Sequence, residues 1–202
     1  MNKIILIDGN SLINRAYFAM PKLVNKDGKS TGAVYGFLSM LIKLIDEIKP
    51  THIAVAFDLH APTFRHKMYD EYKAGRNPMP EDLVEQMPLL KDVLRGLHIR
   101  ICELAGYEAD DILGTLSKRF NEQCYIITGD KDILQLVSDS TEVWLAKKGI
   151  TEMDKVTLKG MNEVNFTPEQ VIEYKGLAGD NSDNIKGVKG VGEKTARNLL
   201  EK

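Results

Sequence analysis

The sequence has few cysteines, few aromatic residues and no long uninterrupted hydrophobic segment. Cys102 and Cys124 lie in apolar runs and form neither a C-x-x-C pair nor a Cys/His zinc pattern, which predicts buried, reduced thiols. The longest apolar stretch, 33–48, contains charged residues, so no membrane span is expected. Only four apolar residues precede Asp8 near the N-terminus, too few for the core of a secretory signal.

The sequence also lacks an excess of positive charge. It has 27 Lys and Arg against 29 Asp and Glu, a formal net charge of −2, which by itself argues against a nucleic-acid partner. Its 202 residues suffice for one core, or for one core with a small appendage. A hydrophobic share of 43% with 28% charged residues is typical of a soluble globular protein.

The order of apolar runs predicts an alternation of strands and helices. We predict strands at 3–7, 52–57, 98–102, 124–128 and 142–146, and helices at 31–48, 80–97, 109–120 and 167–177. Strands that are continuously apolar and alternate with helices indicate a mostly parallel sheet covered on both faces. Residues 59–79, the basic segment, have few core-type residues and are predicted to leave the sheet.

Acidic side chains recur at the ends of predicted strands and at the start of a helix. In parallel sheets the ligand site lies beyond the carboxyl ends of the strands, so acids at these positions converge. Three strand ends, the helix entry E-A-D-D and the loop G-D-N-S-D-N supply nine such acids: Asp8, Asp58, Asp130, Asp132, Glu108, Asp110, Asp111, Asp180 and Asp183.

Each of these acids alone has a structural explanation, because Asp caps helices and acids favour the first turn of a helix. Their coincidence favours one shared site. Like charges raise one another's pKa, and bound cations relieve this repulsion. Oxygen ligands without nearby His or Cys indicate Mg²⁺ or Mn²⁺ rather than zinc, and two such ions about 4 Å apart catalyse phosphoryl transfer. If the nine acids cluster, 20 acids remain against 27 Lys and Arg, which weakens the charge objection.

Basic residues lie close to two of the acidic positions. Arg15 follows Asp8, and Y-D-E-Y-K-A-G-R in the basic segment supplies Tyr72, Lys73 and Arg76. Lys and Arg so placed hold a phosphate, and Tyr stacks on an unpaired base. The alternative is a solvated basic helix face.

A glycine-rich stretch at 184–196 precedes a predicted helix. Its glycines permit positive φ or close backbone approach, and the N–H groups at a helix start form an anion site for a DNA phosphate. Lysines add attraction that is independent of sequence. The alternative is a plain glycine-rich turn. The predicted DNA contacts in this stretch are Lys186, Gly187, Lys189, Gly190, Gly192, Lys194 and Thr195.

Taken in order, these motifs resemble the 5′ nuclease domains of bacterial DNA polymerases I, in the flap-endonuclease superfamily. The resemblance spans 7–196 and rests on I-D-G-N-S-L-I-N-R-A-Y, F-D-L-H-A-P-T-F-R-H, Y-K-A-G-R, G-Y-E-A-D-D-I-L, T-G-D-K-D-I-L-Q-L and L-A-G-D-N-S-D-N-I-K-G-V-K-G-V-G-E-K-T-A. It implies a Rossmann-like, PIN-type α/β fold with a helical arch at about 59–97. The nuclease core would cover 1–176, and 177–202 would begin a helix–three-turn–helix element.

The resemblance also implies roles for the residues. One metal site would use Asp8, Asp58, Glu108, Asp110 and Asp111, and a second would use Asp130, Asp132, Asp180 and Asp183. Arg15, Lys73 and Arg76 would hold the substrate phosphate, with Tyr72 near the unpaired end. Arg65 matches a basic family position without an assigned role and is grouped with the DNA contacts. The glycine hairpin would grip duplex DNA and hold a monovalent cation such as K⁺.

The implied activity is removal of 5′ flaps and RNA primers, as exonuclease and structure-specific endonuclease, in replication and repair. The substrates would be DNA with a 5′ flap or 5′ end and RNA–DNA primer junctions, cut by a monomer in the bacterial cytoplasm. The chain ends at Lys202, about nine residues into the last predicted helix, which predicts a fragment with an incomplete duplex grip.

Two alternatives stay open. A PIN-type ribonuclease or a D-x-D phosphatase needs neither Asp180 and Asp183 nor a duplex grip. A catalytically weak or inactive DNA-junction binder of the same fold would have lost metal ligands, and none is missing from the sequence.

Overall fold

A computed structural model describes residues 2–120, 122–147, 149, 152–164 and 166–201. Its centre is a six-stranded sheet in the order β3-β2-β1-β4-β5-β6. The pairs among β1 to β5 are parallel, and β6 runs antiparallel to β5 at the edge. The prediction of a mostly parallel sheet is therefore confirmed. The strands are β1 Lys3–Asp8, β2 His52–Ala56, β3 Arg100–Cys102, β4 Gln123–Thr128, β5 Thr141–Ala146 and β6 Met153–Val156.

Helices cover both faces of the sheet because successive residues of the central strands are apolar and point to opposite faces. On β1, Ile5 and Ile7 enter one core with Phe37, while Ile4 and Leu6 enter the opposite core with Leu113. The helices are α1 Gly9–Ala19, α2 Gly32–Ile48, α3 Phe64–Met68, α4 Glu81–Val84, α5 Gln86–Gly96, α6 Ala109–Arg119, α7 Leu158–Glu163, α8 Pro168–Ala178 and α9 Glu193–Leu200, with a 3₁₀ helix at Lys131–Leu136.

Several elements differ from the prediction, among them the following three. The helix predicted at 80–97 is divided into α4 and α5 at Glu85, because Pro88 has no N–H to donate to the carbonyl four residues earlier. The edge strand β6, with the sequence M-D-K-V, was not predicted because it lacks an apolar run. Helix α1 was also not predicted, although Leu12, Ile13 and Ala16 form its buried stripe.

The basic segment leaves the sheet after β2, as predicted, and contains only the five-residue helix α3. At the other end of the chain, the two-residue strands β7 Gly179–Asp180 and β8 Ile185–Lys186 form an antiparallel hairpin between α8 and α9. Cys124 is buried, Cys102 is partly buried, and both are free thiols. Within the described residues, no helix is both long and apolar enough to cross a bilayer.

Candidate active site

Asp8 lies at the point where the strand order reverses. Strand β1 has β2 on one side and β4 on the other, so its carboxyl end opens into the crevice where α/β sheets bind ligands. The Asp8 Oδ1 accepts the backbone N–H of Ser11 (2.9 Å), and its Oδ2 accepts the Thr128 hydroxyl (2.8 Å). Burial, reinforced by repulsion from Asp58 and Asp130 and opposed by these hydrogen bonds, raises the pKa of Asp8 to about 6.

Asp110 faces the same acids from the first turn of α6. Burial raises its pKa to about 8, with repulsion from Asp8, Asp130 and Asp58 adding to the shift. We call Asp8, Asp58, Asp110 and Asp130 the central carboxylate group. None of the four forms an ion pair with any residue that the structure describes. Four mutually repelling carboxylates make a site that favours a bound cation.

Two acids of the central carboxylate group each accept a backbone N–H at a helix start, Asp58 at α6 and Asp130 at the 3₁₀ helix. The Asp58 Oδ1 accepts the backbone N–H of Ala109 (2.7 Å), and the Asp130 Oδ1 accepts that of Asp132 (2.8 Å). These acids therefore cap helix starts, which was the structural alternative for them, and they also face the crevice. Capping uses one oxygen of each carboxylate and leaves the other available for a ligand.

Asp111 points away from the central carboxylate group, because successive residues on a helix are about 100° apart. Both its oxygens accept Arg65 guanidinium N–H groups (2.8 Å each), and one also accepts the backbone N–H of Glu108 (2.9 Å). Burial acts to raise the pKa of Asp111, but the Arg65 hydrogen bonds hold it below its usual value. In this geometry Asp111 caps α6 and pairs with Arg65. Asp111 is therefore not placed to bind a metal ion together with the central carboxylate group, and Arg65 is not placed to contact DNA, which are the roles that the resemblance implies.

The second acidic group is bridged by a lysine that the sequence analysis did not single out. The Lys175 ammonium lies 2.8 Å from Asp132 Oδ1 and 2.9 Å from Asp180 Oδ2. The Asp180 Oδ1 accepts both the N–H (2.8 Å) and the hydroxyl (2.6 Å) of Ser182. Burial opposes these contacts, yet they lower the pKa of Asp180 to about 2. The only signal in the sequence is a lysine five residues before Asp180.

Tyr72 is placed differently from the prediction that it stacks on an unpaired base. Its side chain is buried, and the ring packs edge-on against His66 with centroids 5.1 Å apart. Its hydroxyl lies 3.1 Å from Glu108 Oε2 and 3.0 Å from Asp183 Oδ2, and it donates to one of them at a time. A ring enclosed in this way has no free face for a base, so the stacking role is not available in this conformation.

The predicted phosphate ligands divide into paired and unpaired cations. Lys73 Nζ lies 2.9 Å from Glu108 Oε1, and Arg76 Nη2 lies 2.6 Å from Asp183 Oδ1. Arg15 has no ion pair within the described parts of the chain, and its guanidinium lies beside Gly129 at the carboxyl end of β4. Arg15 is therefore the cation that is free to meet an anion at the central carboxylate group.

These contacts separate the nine predicted metal ligands into two classes. Four form the unpaired central group, whereas five outer acids are each held by a lysine or an arginine: Glu108, Asp111, Asp132, Asp180 and Asp183. No three acidic, His or Cys side chains among the described residues stand close enough together to form a ready-made metal cage. Carboxylate oxygens are suitable ligands for hard divalent cations. The outer acids can join a shared metal site only if they leave their lysine or arginine partners and bind the metal ion instead.

The crevice is a cavity of about 1650 Å³ between the sheet, the basic segment and α5. Small-molecule sites typically occupy about 300–1,000 Å³. Central acids, Lys73 and Arg76 line one part of the cavity, and apolar side chains of α1, α4 and α5 line another. Its size and mixed lining fit a polymer better than a metabolite.

The glycine hairpin is formed largely as the sequence predicts. A Cβ on Gly187 would overlap the backbone of Leu177 and Ala178, and Gly190 has a φ of 83°. Gly192 differs, because it is the extended N-cap of α9 with open space around its Cα. Gly179 (φ 80°), which the sequence analysis did not single out, packs its backbone against Gly187.

The hairpin surface carries exposed positive charge. Three of its lysines are exposed and form no ion pair with any residue in the described ranges: Lys186, Lys189 and Lys194. Thr195 is exposed in the first turn of α9. The charged and polar side chains among the predicted DNA contacts of this region are therefore accessible to solvent.

Comparison with known families gives two matches that together cover almost the whole chain. Residues 3–174 match the 5′-3′ exonuclease N-terminal resolvase-like domain, and residues 166–202 match the 5′-3′ exonuclease C-terminal SAM fold.

Individual proteins are similar over the same range. The chain is 49% identical to DNA polymerase I of Bacillus subtilis, covering 98% of this chain and 23% of that protein. Among solved structures, bacteriophage T5 flap endonuclease in a complex with DNA and metal ions has 25% identity and a TM-score of 0.76, covering 98% of this chain and 74% of that one. Flap endonuclease-1 from Methanococcus jannaschii shares the fold, with 19% identity, a TM-score of 0.67, and coverage of 98% and 70%.

Proposed function

Because this chain belongs to the 5′-3′ exonuclease family, we propose that it hydrolyses DNA phosphodiesters near a 5′ end as a metal-dependent nuclease. The chain spans about 23% of the length of the B. subtilis relative, so the proposal concerns the nuclease reaction of this part. One observation carries it: four carboxylates from separate elements face one crevice at the switch point of the sheet, and neither they nor the neighbouring Arg15 form an ion pair within the described residues. That arrangement favours a divalent cation and a phosphate together.

Two Mg²⁺ or Mn²⁺ ions are the proposed cofactors. Support comes from the all-oxygen donor set and from the metal ions present in the T5 flap endonuclease complex. The central carboxylate group would hold the first ion, and Asp130 with the outer acids Asp132, Asp180 and Asp183 would contribute to a second. Ions held there would supply two effects, a lower pKa of a bound water molecule and stabilisation of the charge on the leaving oxygen.

The basic side chains position the substrate in this proposal. Arg15 binds a phosphate oxygen at the carboxyl end of β4. Lys73 and Arg76 leave Glu108 and Asp183 for phosphate oxygens once bound metal ions neutralise these acids. The phosphate is then the more strongly negative neighbour of each side chain. The Tyr72 hydroxyl donates a hydrogen bond to Glu108 or Asp183 and orients that carboxylate.

The proposed substrates are DNA with a 5′ flap or a 5′ end, including RNA–DNA primer junctions. The hairpin lysines supply contacts to duplex phosphates that do not depend on sequence, and the N-terminus of α9 supplies N–H donors. A monovalent cation such as K⁺ bound by hairpin carbonyl groups would strengthen the same contact. The T5 flap endonuclease complex contains DNA, which supports this class of substrate.

The test is cleavage of a 5′-labelled flap duplex, with single-stranded RNA as the competing substrate. We expect Mg²⁺-dependent cutting of the flap, little cutting of the RNA, and no cutting in EDTA. Asp130→Asn should reduce flap cleavage at least about 100-fold while flap binding persists, since the group stabilises charge in the transition state. Asp27→Asn, an exposed acid in the loop between α1 and α2, is the matched control. Equal cutting of RNA, or cleavage that is unaffected in Asp130→Asn, would contradict the proposal.

A further inference from the structure

The large cavity has an apolar wall that the proposed chemistry does not use. Phe18, near the C-terminal end of α1, lines this wall and is 76% exposed. Val84 of α4 is 45% exposed, and Met87 and Pro88 of α5 line the same cavity. A partner that covers these neighbouring side chains would gain the free energy of burying their apolar surface.

The Phe18 side chain is supported by its neighbour Tyr17. The Tyr17 ring packs edge-on against it, with centroids 5.1 Å apart and planes at 80°. The Tyr17 hydroxyl donates to Asp82 Oδ1 (2.7 Å) and so ties the end of α1 to the start of α4. The contact with Tyr17 limits the movement of the Phe18 ring, which lines the cavity.

The exposed stripe of α1 connects this ring with the central carboxylate group. Asn10, Asn14 and Phe18 are spaced four residues apart, lie on one face of the helix, and all line the cavity. The Asn14 side chain is exposed and forms no hydrogen bond with any residue that the structure describes. Phe18 is ten residues from Asp8, a distance of about 15 Å along the helix. That distance corresponds to on the order of four stacked nucleotides at about 3.4 Å each.

From this continuity we propose that Phe18 is a stacking platform for an unpaired base of the strand whose phosphate lies at the central carboxylate group. Asn14 offers its amide to the sugar or base edge between the two points. Because every base has a π-face, the platform does not select sequence and takes DNA and RNA bases alike. The inference rests on the proposed nuclease function and adds a positioning residue to it.

The test combines substitution of the ring with removal of the base. Flap duplexes carry a single abasic site at successive positions of the unpaired strand, and their affinity for the full chain is measured by fluorescence anisotropy in EDTA. The wild-type protein should lose about 5- to 150-fold in affinity at one position, on the order of four nucleotides from the cleavage site. Phe18→Ala should bind the intact flap with a similar loss, and the abasic site should cost it nothing further.

Three variants separate stacking from other effects. Phe18→Leu keeps an apolar side chain and should lose most of the affinity, whereas Phe18→Trp should restore it. Tyr35→Ala removes another exposed aromatic ring, on α2 and outside the cavity, and should bind as the wild type does. In Mg²⁺, Phe18→Ala should raise KM for flap cleavage with kcat changed less than about threefold.

The outcomes also distinguish this inference from the proposed function. If wild-type protein cuts flaps but Phe18→Ala loses as much affinity at the abasic site as wild type does, the stacking proposal is overturned. If wild-type protein cuts no flap in Mg²⁺ yet shows the position-specific abasic loss, stacking stands and the nuclease proposal fails.

Discussion

Lys73 Nζ lies 2.9 Å from Glu108 Oε1, so a cation expected at the substrate phosphate is held by a carboxylate expected at a metal ion. The backbone reinforces this pairing. Lys73 has a φ of 58°, in the left-handed region, and its N–H donates to the carbonyl of Asp183 (3.0 Å). One residue of the basic segment is thus joined to two of the outer acids, Glu108 and Asp183.

Lys73→Met tests whether this lysine serves the substrate or the fold. We expect kcat for flap cleavage to fall about 100-fold, because a positioned cation is lost from the phosphate. Mn²⁺ affinity should stay equal or increase, because Glu108 loses a competing partner. Lys26→Met, at an exposed position in the loop before α2, should match wild type in both measurements. Weaker Mn²⁺ binding in Lys73→Met would mean that the lysine organises the acids rather than competing for them.

Lys175 occupies the space between Asp132 and Asp180 and should compete with a divalent ion there. Lys175→Met should tighten Mn²⁺ binding about fivefold, as expected for removing a partly buried ion pair of about 1 kcal/mol. Without metal, the same variant should melt at a lower temperature than wild type, because two neighbouring carboxylates lose their positive partner. Lys159→Met, which removes an exposed pair with Glu163, is the control. Unchanged Mn²⁺ affinity would show that Lys175 does not overlap the second site.

The raised pKa values of Asp8 and Asp110 predict a pH-dependent stability in EDTA. Their folded-state pKa values are about 6 and about 8, against 3.8 for an ordinary Asp. Between pH 3.8 and the raised pKa of each group, the folded protein keeps a proton that the unfolded chain has released. The free energy of unfolding should therefore fall as pH rises, by up to about 1.4 kcal/mol per pH unit for each group, and level off above about pH 8.

The measurement for this prediction is the urea midpoint at pH 5 to 9. Asp110→Asn removes the group with the higher pKa, so its midpoint should fall less than that of wild type between pH 6 and 8. At pH 8 the variant should be the more stable protein. Parallel pH profiles for the two proteins would contradict the raised pKa of Asp110.

Three glycines of the hairpin should respond differently to substitution by alanine. Gly187→Ala should cost about 3 kcal/mol of unfolding free energy, because the added Cβ meets backbone atoms that have no room to move. Gly190→Ala should cost about 1–2 kcal/mol, since its φ is 83°. Gly192→Ala should cost less than about 1 kcal/mol, since it is an N-cap in open space. Chemical denaturation checks the order, and equal effects at Gly187 and Gly192 would contradict it.

The sequence predicted the positions of the central acids because they depend on topology. Asp8 ends β1, whereas Asp58 and Asp130 come after β2 and β4, and the carboxyl ends of these parallel strands lie at one edge of the sheet. Side-chain direction was harder to predict. Asp110 and Asp111 are adjacent in sequence, yet one faces the central group and the other pairs with Arg65, a difference that depends on where α6 begins.

Tertiary pairing accounts for the remaining differences. Tyr72 was predicted to be accessible, but its ring is enclosed once the basic segment folds onto the loop at 180–184. Lys175 was not identified because its position five residues before Asp180 does not distinguish it from other lysines near helix ends. Both positions depend on contacts between segments far apart in the sequence, and residue type and spacing carry little information about such contacts.

The central claim is that Asp8, Asp58, Asp110 and Asp130 bind a divalent ion needed for cleavage. Calorimetric titration of the wild-type chain with Mn²⁺ tests it most directly, beside Asp110→Asn and the control Asp27→Asn. We predict two Mn²⁺ ions per chain for wild type and the control, and loss of one in Asp110→Asn. A wild-type chain that takes up no Mn²⁺, or an Asp110→Asn variant that binds it as wild type does, would contradict the account.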